Sequence, residues 1–259
     1  MKNDRSMVGA GLASRRMRRQ APKRAPMNRK EAPPIMTESV PPRRSTCERC
    51  RRPQSACICH WISPVSSIAE VLILQHPLET SQAKGSARLL HLCLPGCRLA
   101  VGEAFEEAEL ANLLHEPWSR EDNDRDSGDM VRHPVLLYPE TPGQMAAPDP
   151  GANGSEVAAP AGPRQARRLR LVVLDATWRK SRKMLYLNPA LQALPRLALQ
   201  DPPLSRYHVR KAHLPHQLST FEATCQALIQ LEHDAGKYQP LQQAFDGFVS
   251  QQLNYRPAS

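Results

Sequence analysis

Four cysteines lie close together in the N-terminal part of the chain, with a spacing suited to binding a metal ion. Cys47, Cys50, Cys57 and Cys59 follow the pattern C-x2-C-x6-C-x-C. Four thiolates can surround one tetrahedral Zn²⁺, and four protein ligands leave no open coordination position, so such a zinc ion would be structural. Neighbouring arginines would offset the negative charge of the thiolates. Reduced cysteines without a metal are the alternative that this pattern leaves open.

A second group of polar residues follows the apolar run 169–174, in the order Asp175-Ala-Thr177-Trp178. Ligands of open parallel sheets bind beyond the carboxyl ends of the strands. Asp175 at such an end can accept a proton or a hydrogen bond from a ligand. Aspartate is also a good helix N-cap, and this structural role competes with the functional one.

Basic residues are concentrated around this turn. Residues 164–183 hold eight Lys or Arg against one acid, Asp175. On the helix expected after the turn, Arg179, Lys180 and Lys183 share a face because they are three or four residues apart. A phosphate backbone suits that face. A solvated helix flank is the alternative.

The segment 205–223 combines an aromatic residue with cations and then a helix start. Tyr207 can stack on a base, while Arg206, Arg210 and Lys211 can hold phosphates. Ser219-x-x-Glu222 has the form of a capping box, which explains its two polar residues without any ligand. A helix N-terminus that faces a carboxylate or phosphate is the functional alternative.

The elements that position these residues alternate between strand and helix. This order predicts an α/β protein, with a parallel sheet covered by helices on both faces. The continuous apolar run 169–174 predicts the central strand. The other strands are expected at 68–75, 97–101, 133–138 and 196–199. The helices are expected at 83–93, 104–115, 177–187, 219–233 and 241–253.

The chain of 259 residues is long enough for one large domain with an appendage. Composition predicts a disordered basic tail at 1–42, a four-cysteine module at 43–62 and a main domain at 63–259, with flexible insertions at 119–132 and 139–166. Residues 1–46 hold 12 of the 35 Lys and Arg and 3 of the 25 acids, so the net charge of +10 belongs mainly to the tail. No apolar run is long enough to span a membrane and no secretory signal is evident, which predicts a cytoplasmic protein.

Taken together, these motifs resemble the DTW-domain family of tRNA-uridine aminocarboxypropyltransferases, which is related to the SPOUT class of RNA-modifying enzymes. The resemblance covers about 43–253 and departs from the family at Ala176, where glycine is common, and in the insertion after Pro139. Besides the four cysteines, the matching motifs are Gln75-His76-Pro77, Leu136-Leu137-Tyr138-Pro139, Asp175-x-Thr177-Trp178, Ser205-x-Tyr207-x2-Arg210-Lys211 and Leu218-Ser219-Thr220-x-Glu222-Ala223.

The resemblance implies transfer of a 3-amino-3-carboxypropyl group from S-adenosylmethionine to N3 of a tRNA uridine, with 5′-methylthioadenosine as the by-product. It also implies a SPOUT-like fold in which the C-terminal segment forms a knot. Asp175 is the expected general base, with Thr177 and Trp178 beside it. The residues expected in the cofactor pocket are Tyr138, Pro139, Ser205 and Glu222.

Two other functions fit the same residues. One is an S-adenosylmethionine-dependent RNA methyltransferase on the same fold, which would release S-adenosylhomocysteine. The other is a zinc-bearing RNA-binding or assembly protein without catalysis, in which Asp175→Ala would leave function intact. The sequence leaves open the oligomeric state and the identity of the target uridine.

Overall fold

The computed structural model describes residues 45–118, 132–139, 166–207 and 217–255. The predicted tail at 1–42 and most of both predicted insertions lie outside these ranges. The described residues form one parallel sheet in the order β2-β1-β4-β3-β5. Its strands are β1 Glu70–Gln75, β2 Arg98–Val101, β3 His133–Leu137, β4 Leu169–Asp175 and β5 Arg196–Leu197. The central position of β4 confirms the prediction from its apolar sequence, because a strand covered on both faces needs apolar residues at nearly every position.

Six helices lie in the described ranges, and the predicted helices are all found, with ends shifted by a few residues. They are α1 Ala87–Cys93, α2 Glu107–His115, α3 Trp178–Leu187, α4 Pro189–Gln192, α5 Thr220–Glu232 and α6 Gln239–Asn254. Helix α4 was not predicted, because a single turn is too short to show a helical period. Within the described ranges, every helix is too short or too polar to traverse a lipid bilayer.

Both faces of the sheet are covered by helices, as predicted for this α/β protein. Successive strand residues point to opposite faces. Val71 and Ile73 of β1 join a core that contains α1, α5, α6 and the cysteine segment. Leu72 and Leu74 join a second core with α2, α3 and α4. The knotted path implied by the resemblance stays a prediction.

The cysteine segment packs directly against α6. The indole Nε1 of Trp61 donates a 2.7 Å hydrogen bond to the side-chain oxygen of Gln251, and the Gln251 amide donates a 3.0 Å hydrogen bond to the Cys57 carbonyl. Cys50 and Ile58 are buried in the same core as α6. The predicted boundary between 62 and 63 stays a prediction.

At the amino ends of β1 and β4, a buried ion pair anchors α2. Glu70 and Arg170 are register partners, and the Arg170 guanidinium lies 2.7 Å from the Glu70 carboxylate. The same guanidinium donates hydrogen bonds to the Leu113 and Glu116 carbonyls at the end of α2 and covers the ring of Trp118 at 4.1 Å. This edge of the sheet is therefore fixed by buried polar contacts, while the opposite edge carries the predicted site.

Candidate active site and metal site

The carboxyl ends of β1 and β4 lie side by side, with Gln75 paired to Asp175. The connection after β1 leads through α1 on one face to β2, whereas the connection after β4 leads through α3 on the other face to β5. In open α/β sheets, ligands bind in the crevice where neighbouring strands send their connections in opposite directions. Asp175 therefore lies where this fold forms a ligand site.

The side chain of Asp175 connects three elements. It is 4 % exposed; its Oδ2 accepts a 2.8 Å hydrogen bond from the Gln75 amide, and its Oδ1 accepts a 2.7 Å hydrogen bond from the Thr220 hydroxyl. The N-cap alternative for Asp175 is wrong, because Asp175 ends β4 and the exposed Thr177 is the N-cap of α3. A carboxylate has about four lone-pair sites, so it can accept more than two hydrogen bonds.

Three of the predicted site residues meet beside this turn. Trp178, which is 48 % exposed, makes an edge-to-face contact with Tyr138 at a ring-centroid distance of 5.5 Å. The Tyr138 hydroxyl lies 3.2 Å from the Ser181 hydroxyl. Arg196 lies 4.9 Å from the Tyr138 ring centre and donates a hydrogen bond to the Pro139 carbonyl. These contacts hold an aromatic pair next to the end of β4.

The other predicted cofactor residues, Ser205 and Glu222, bind each other. The Glu222 carboxylate accepts hydrogen bonds from the Ser205 hydroxyl at 3.0 Å, from the Arg206 amide at 2.6 Å and from the Ser219 amide at 2.8 Å. Ser219 in turn accepts from the Glu222 amide, which completes the predicted capping box. Glu222 therefore positions the loop at 205–206 on the start of α5. Its contact with a cofactor stays a prediction.

A cleft of about 190 Å³ lies between this loop, α5 and α6. Arg206 and Glu222 line it together with Phe221 and Phe245, whereas Asp175 and Trp178 do not. The cleft is smaller than the roughly 300–1,000 Å³ of typical ligand pockets. It is therefore separate from the candidate site at the carboxyl ends of β1 and β4.

Each ring nitrogen of His76 has a hydrogen-bond partner at the carboxyl end of the sheet. Its Nδ1 accepts a 3.1 Å hydrogen bond from the Leu78 amide, so Nε2 carries the proton and donates to Glu103 at 3.0 Å. Glu103 also pairs with Lys183 at 2.8 Å. The Lys183 ammonium and then His76 lower the pKa of Glu103 below its usual value. His76 therefore orients Glu103 and α3, and its acceptor nitrogen is already in use.

The four predicted metal ligands converge on one point. Their sulfur atoms all lie within 4.8 Å of one another, with Cys47 and Cys59 3.6 Å apart and Cys50 and Cys57 3.8 Å apart. Zinc bonded to four sulfurs at about 2.3 Å holds those sulfurs about 3.8 Å from one another. None of the four cysteines forms a disulfide. This group can therefore hold a metal ion.

The surroundings of the sulfurs shift the pKa values of Cys47 and Cys59 in opposite directions. Backbone N–H groups of Cys50 and Arg49 lower the pKa of Cys47 to about 6, whereas burial and the Cys47 sulfur raise the pKa of Cys59 to about 12. Thiols this close cannot all ionise without a cation among them. A bound divalent ion removes that conflict, because thiols that coordinate a metal are deprotonated.

Comparison with known proteins identifies the family of this chain. Residues 44–253 match the DTW domain. The chain belongs to the DTW-domain family. Within this DTW domain, the D-x-T-W motif forms the turn from β4 into α3, and the cysteine motif forms a group that can hold a metal ion.

Relatives of this DTW domain include three proteins named tRNA-uridine aminocarboxypropyltransferase 2. The Drosophila melanogaster protein is 30% identical over 200 residues, which cover 74% of this chain and 68% of the relative. The Mus musculus and Macaca fascicularis proteins are 27% and 28% identical over 225 and 222 residues, and each match covers 82% of this chain and 65% of the relative. The chain thus spans about two thirds of the length of these relatives. No solved structure matches it significantly.

The structure divides the predicted RNA-binding residues of the DTW domain into different settings. Arg179 is exposed on α3, whereas Lys180 pairs with the buried Glu79 at 2.8 Å. Arg206 is exposed but pairs with Asp246 at 3.0 Å. Arg210 and Lys211 lie outside the described residues. The carboxylates of Glu79 and Glu103 were missed from the sequence, because they lie far along the chain from the lysines that they bind.

Tyr207 corrects a prediction. Its ring is 4 % exposed and packs against Phe245 and Phe248, and its hydroxyl donates to the Lys84 carbonyl. A ring in this position does not stack on an RNA base. This burial could not be predicted locally, because the neighbours of Tyr207 along the chain are polar and the residues that bury it lie on α6.

The described basic residues of 164–183 also do not form one surface. Arg168 precedes β4 and Arg179 follows it, so the length of the strand, roughly 23 Å, separates them. Arg170, within β4, is fully buried. Of the described cations in 164–183, those on α3 therefore lie at the end of β4 that carries Asp175.

Proposed function

We propose that this DTW domain transfers the 3-amino-3-carboxypropyl group of S-adenosylmethionine to N3 of a uridine in tRNA. The observation that carries the proposal is the position of Asp175, a buried carboxylate held by Gln75 and Thr220 in the crevice between β1 and β4. The names of the relatives support the group that is transferred and the substrate. Because the substrate is tRNA, we place the protein in the cytoplasm.

The reaction requires one bond to form as another breaks. Uridine N3 attacks the γ-carbon of the methionine moiety, which forms an N–C bond. The C–S bond breaks and its electron pair stays on sulfur, so the sulfonium leaves as neutral 5′-methylthioadenosine. The N3 proton leaves with the attack, and Asp175 accepts it as the general base.

The neighbours of Asp175 orient its carboxylate. Gln75 and Thr220 each donate to a different carboxylate oxygen, which fixes the plane of the carboxylate. A fixed base and a fixed acceptor atom accelerate the reaction because the reacting atoms need less reorganisation. Since three carbons of a sulfonium are electrophilic, the selection of the γ-carbon is a matter of positioning.

The pair of Tyr138 and Trp178 and the N-terminal end of α3 contact the substrates. Trp178, with one edge against Tyr138, offers an exposed ring on which a base or the adenine ring can stack. Thr177 offers an exposed hydroxyl at the same turn. Arg179 follows on α3 and supplies a cation for a phosphate. The target uridine is expected in a loop, where it can be unstacked without opening a stem.

The four cysteines hold a structural zinc ion under this proposal. Their donor set and sulfur spacing suit tetrahedral Zn²⁺, and with four protein ligands no position is left for a substrate. Zinc supplies folding free energy to a segment that packs on α6. It takes no part in the proton transfer.

The test is to incubate the purified protein with S-adenosylmethionine and tRNA that lacks the modification, and to identify the by-product by mass spectrometry. Methylthioadenosine that forms only with tRNA, and much more slowly with Asp175→Asn, is the expected result. The matched control is Glu109→Gln, which removes an exposed carboxylate on α2.

Each of the other outcomes would change a different part of the proposal. S-adenosylhomocysteine would identify a methyltransferase. Bound tRNA without either by-product would favour a zinc-bearing RNA-binding protein. Methylthioadenosine at an unchanged rate in Asp175→Asn would keep the reaction and remove Asp175 as its base.

A further inference from the structure

The solvent-facing side of α3 carries cations and an aromatic residue at helical spacing. Arg179, Arg182, Lys183 and Tyr186 recur at i, i+3, i+4 and i+7, so they share one face. The opposite side of the helix is buried against the sheet. Helix α3 contains no acidic residue. We call Arg179, Arg182 and Tyr186 the outer face of α3.

The charges on this helix are not equally available. Lys180 and Lys183 are held by Glu79 and Glu103. In the part of the chain that the structure describes, Arg179 and Arg182 have no hydrogen-bond or ion-pair partner. The two lysines therefore fix the helix next to Asp175, and the two arginines keep their full donor sets for a ligand.

Tyr186 is 78 % exposed, and its ring contacts no other aromatic ring in the described ranges. A single exposed ring is common on protein surfaces and needs no explanation. Its setting, one turn from Arg182 and two turns from Arg179 on the same face, is more specific. Exposed rings interleaved with arginines are how proteins bind single-stranded nucleic acid, with bases stacked on the rings and phosphates on the guanidinium groups.

We propose that the outer face of α3 binds a single-stranded segment of the RNA substrate, with a base stacked on Tyr186 and phosphates on Arg179 and Arg182. An acidic protein partner fits less well, because the face offers one ring and no apolar groove. This inference rests on the proposed function for the nature of the substrate. It extends the phosphate contact already proposed for Arg179 to Arg182 and adds the ring of Tyr186.

The geometry separates this contact from the reacting nucleotide. Tyr186 follows Trp178 by eight residues, which is a rise of about 12 Å along the helix. Stacked nucleotides are spaced by about 3.4 Å along a strand. The base on Tyr186 is therefore a neighbour several nucleotides from the target uridine, and the contact selects how the loop enters the site.

The experiment measures the Kd of the full chain for tRNA as a function of salt concentration. Tyr186→Phe keeps the ring and should keep the Kd, whereas Tyr186→Leu keeps apolar bulk and helix propensity but should weaken binding about 10-fold. Arg182→Ala should weaken binding and reduce the slope of log K against log salt by about 1. Arg168→Ala is the matched control, because Arg168 is exposed beyond the other end of β4. Thermal unfolding should stay unchanged in all four variants, since each side chain is exposed.

The outcomes separate this inference from the proposed function. An unchanged Kd in both Tyr186→Leu and Arg182→Ala would overturn the inference, and equal binding by the Leu and Phe variants would show that no base stacks on the ring. Binding that depends on Tyr186, without any methylthioadenosine from the wild-type protein, would overturn the proposed function alone. A wild-type protein that does not bind tRNA would overturn both.

Discussion

The hydroxyl of Thr220 donates a 2.7 Å hydrogen bond to the carboxylate of Asp175 across a sequence separation of 45 residues. Thr220 is the first residue of α5, whose start is fixed by the capping box of Ser219 and Glu222. Asp175 is the last residue of β4. The contact thus joins two motifs of the family, and it explains why a helix cap that needs no ligand lies beside a candidate catalytic base.

Replacement of Thr220 by Val should slow the transfer reaction. Valine keeps the shape of threonine but loses the donor, and a hydrogen bond to a charged group contributes about 1.5–3 kcal/mol, which corresponds to about 10- to 100-fold in rate. The loss should fall on kcat, because the contact orients the base and does not touch the substrate. The measurement is the initial rate of methylthioadenosine release over a range of tRNA concentrations.

The matched variant Thr220→Ser keeps the hydroxyl and should restore most of the rate. A fully active Thr220→Val protein would show that Asp175 needs no orientation by α5. A loss confined to KM would instead place Thr220 in substrate binding.

One zinc ion per chain should be found by elemental analysis of the purified protein. Cys50→Ser should lose the metal and lower the melting temperature, because Cys50 is buried in the core shared with α6 and its ligand group also supports that packing. Cys97→Ala is the control, since Cys97 is buried outside the metal site. Full metal content in Cys50→Ser, or no metal in the wild type, would contradict the four-cysteine site.

The sequence predicted the parts of this fold that depend on local pattern. An unbroken apolar run identified β4 as the central strand, and cysteine spacing identified the metal site because ligands within a short segment must lie close together. The alternation of strands and helices fixed the class of fold. Asp175 could be placed at the end of a strand because it directly follows the apolar run 169–174.

Contacts between distant segments were not accessible in this way. Lys180 and Lys183 looked like free cations, because nothing local indicates that Glu79 and Glu103 will face them. Tyr207 looked like a surface ring, although α6 buries it. Conversely, Tyr186 carried no motif and its exposure became evident only once the buried side of α3 was known.

Gly247 should be intolerant of substitution, because α6 packs closely on the ring of Trp61 there. A Cβ atom at Gly247 would lie 2.2 Å from the ring of Trp61. Gly247→Ala should therefore lower the free energy of unfolding by about 1–3 kcal/mol, measured by denaturant titration. Gly236→Ala is the matched control, since the nearest atom to its Cβ would be a side-chain oxygen at 3.5 Å. Equal stability of both variants would show that Trp61 moves freely.

Replacement of Arg170 by Met should be among the most damaging changes to stability. It leaves the Glu70 carboxylate buried with less compensation and removes the donors that hold two carbonyls at the end of α2. Breaking a buried pair in this way costs about 3–5 kcal/mol. The double variant Glu70→Met with Arg170→Met should lose less than the sum of the two single variants, because it removes both charges of this pair, although Arg132 also loses its contact with Glu70. Strict additivity in chemical denaturation would mean that the two side chains act independently.

Arg52 connects the cysteine segment to the loop that follows His76. Its guanidinium donates 2.7 Å hydrogen bonds to the Ala83 and Gly85 carbonyls, while the Arg52 carbonyl accepts from the Cys47 amide. The clamped loop follows His76, whose amide donates to the Asp175 carbonyl. A lysine has a single nitrogen and cannot hold both carbonyls in the same fork geometry.

Arg52→Lys should therefore increase hydrogen exchange at 83–85 and reduce the rate of transfer, while the metal content stays at the wild-type level. Arg51→Lys is the matched control, because the exposed Arg51 side chain makes no hydrogen bond in the described ranges. Loss of metal in Arg52→Lys would show that the arginine supports the cysteines themselves. Unchanged exchange at 83–85 would mean that other contacts, such as that of Tyr207 with the Lys84 carbonyl, are enough to hold the loop.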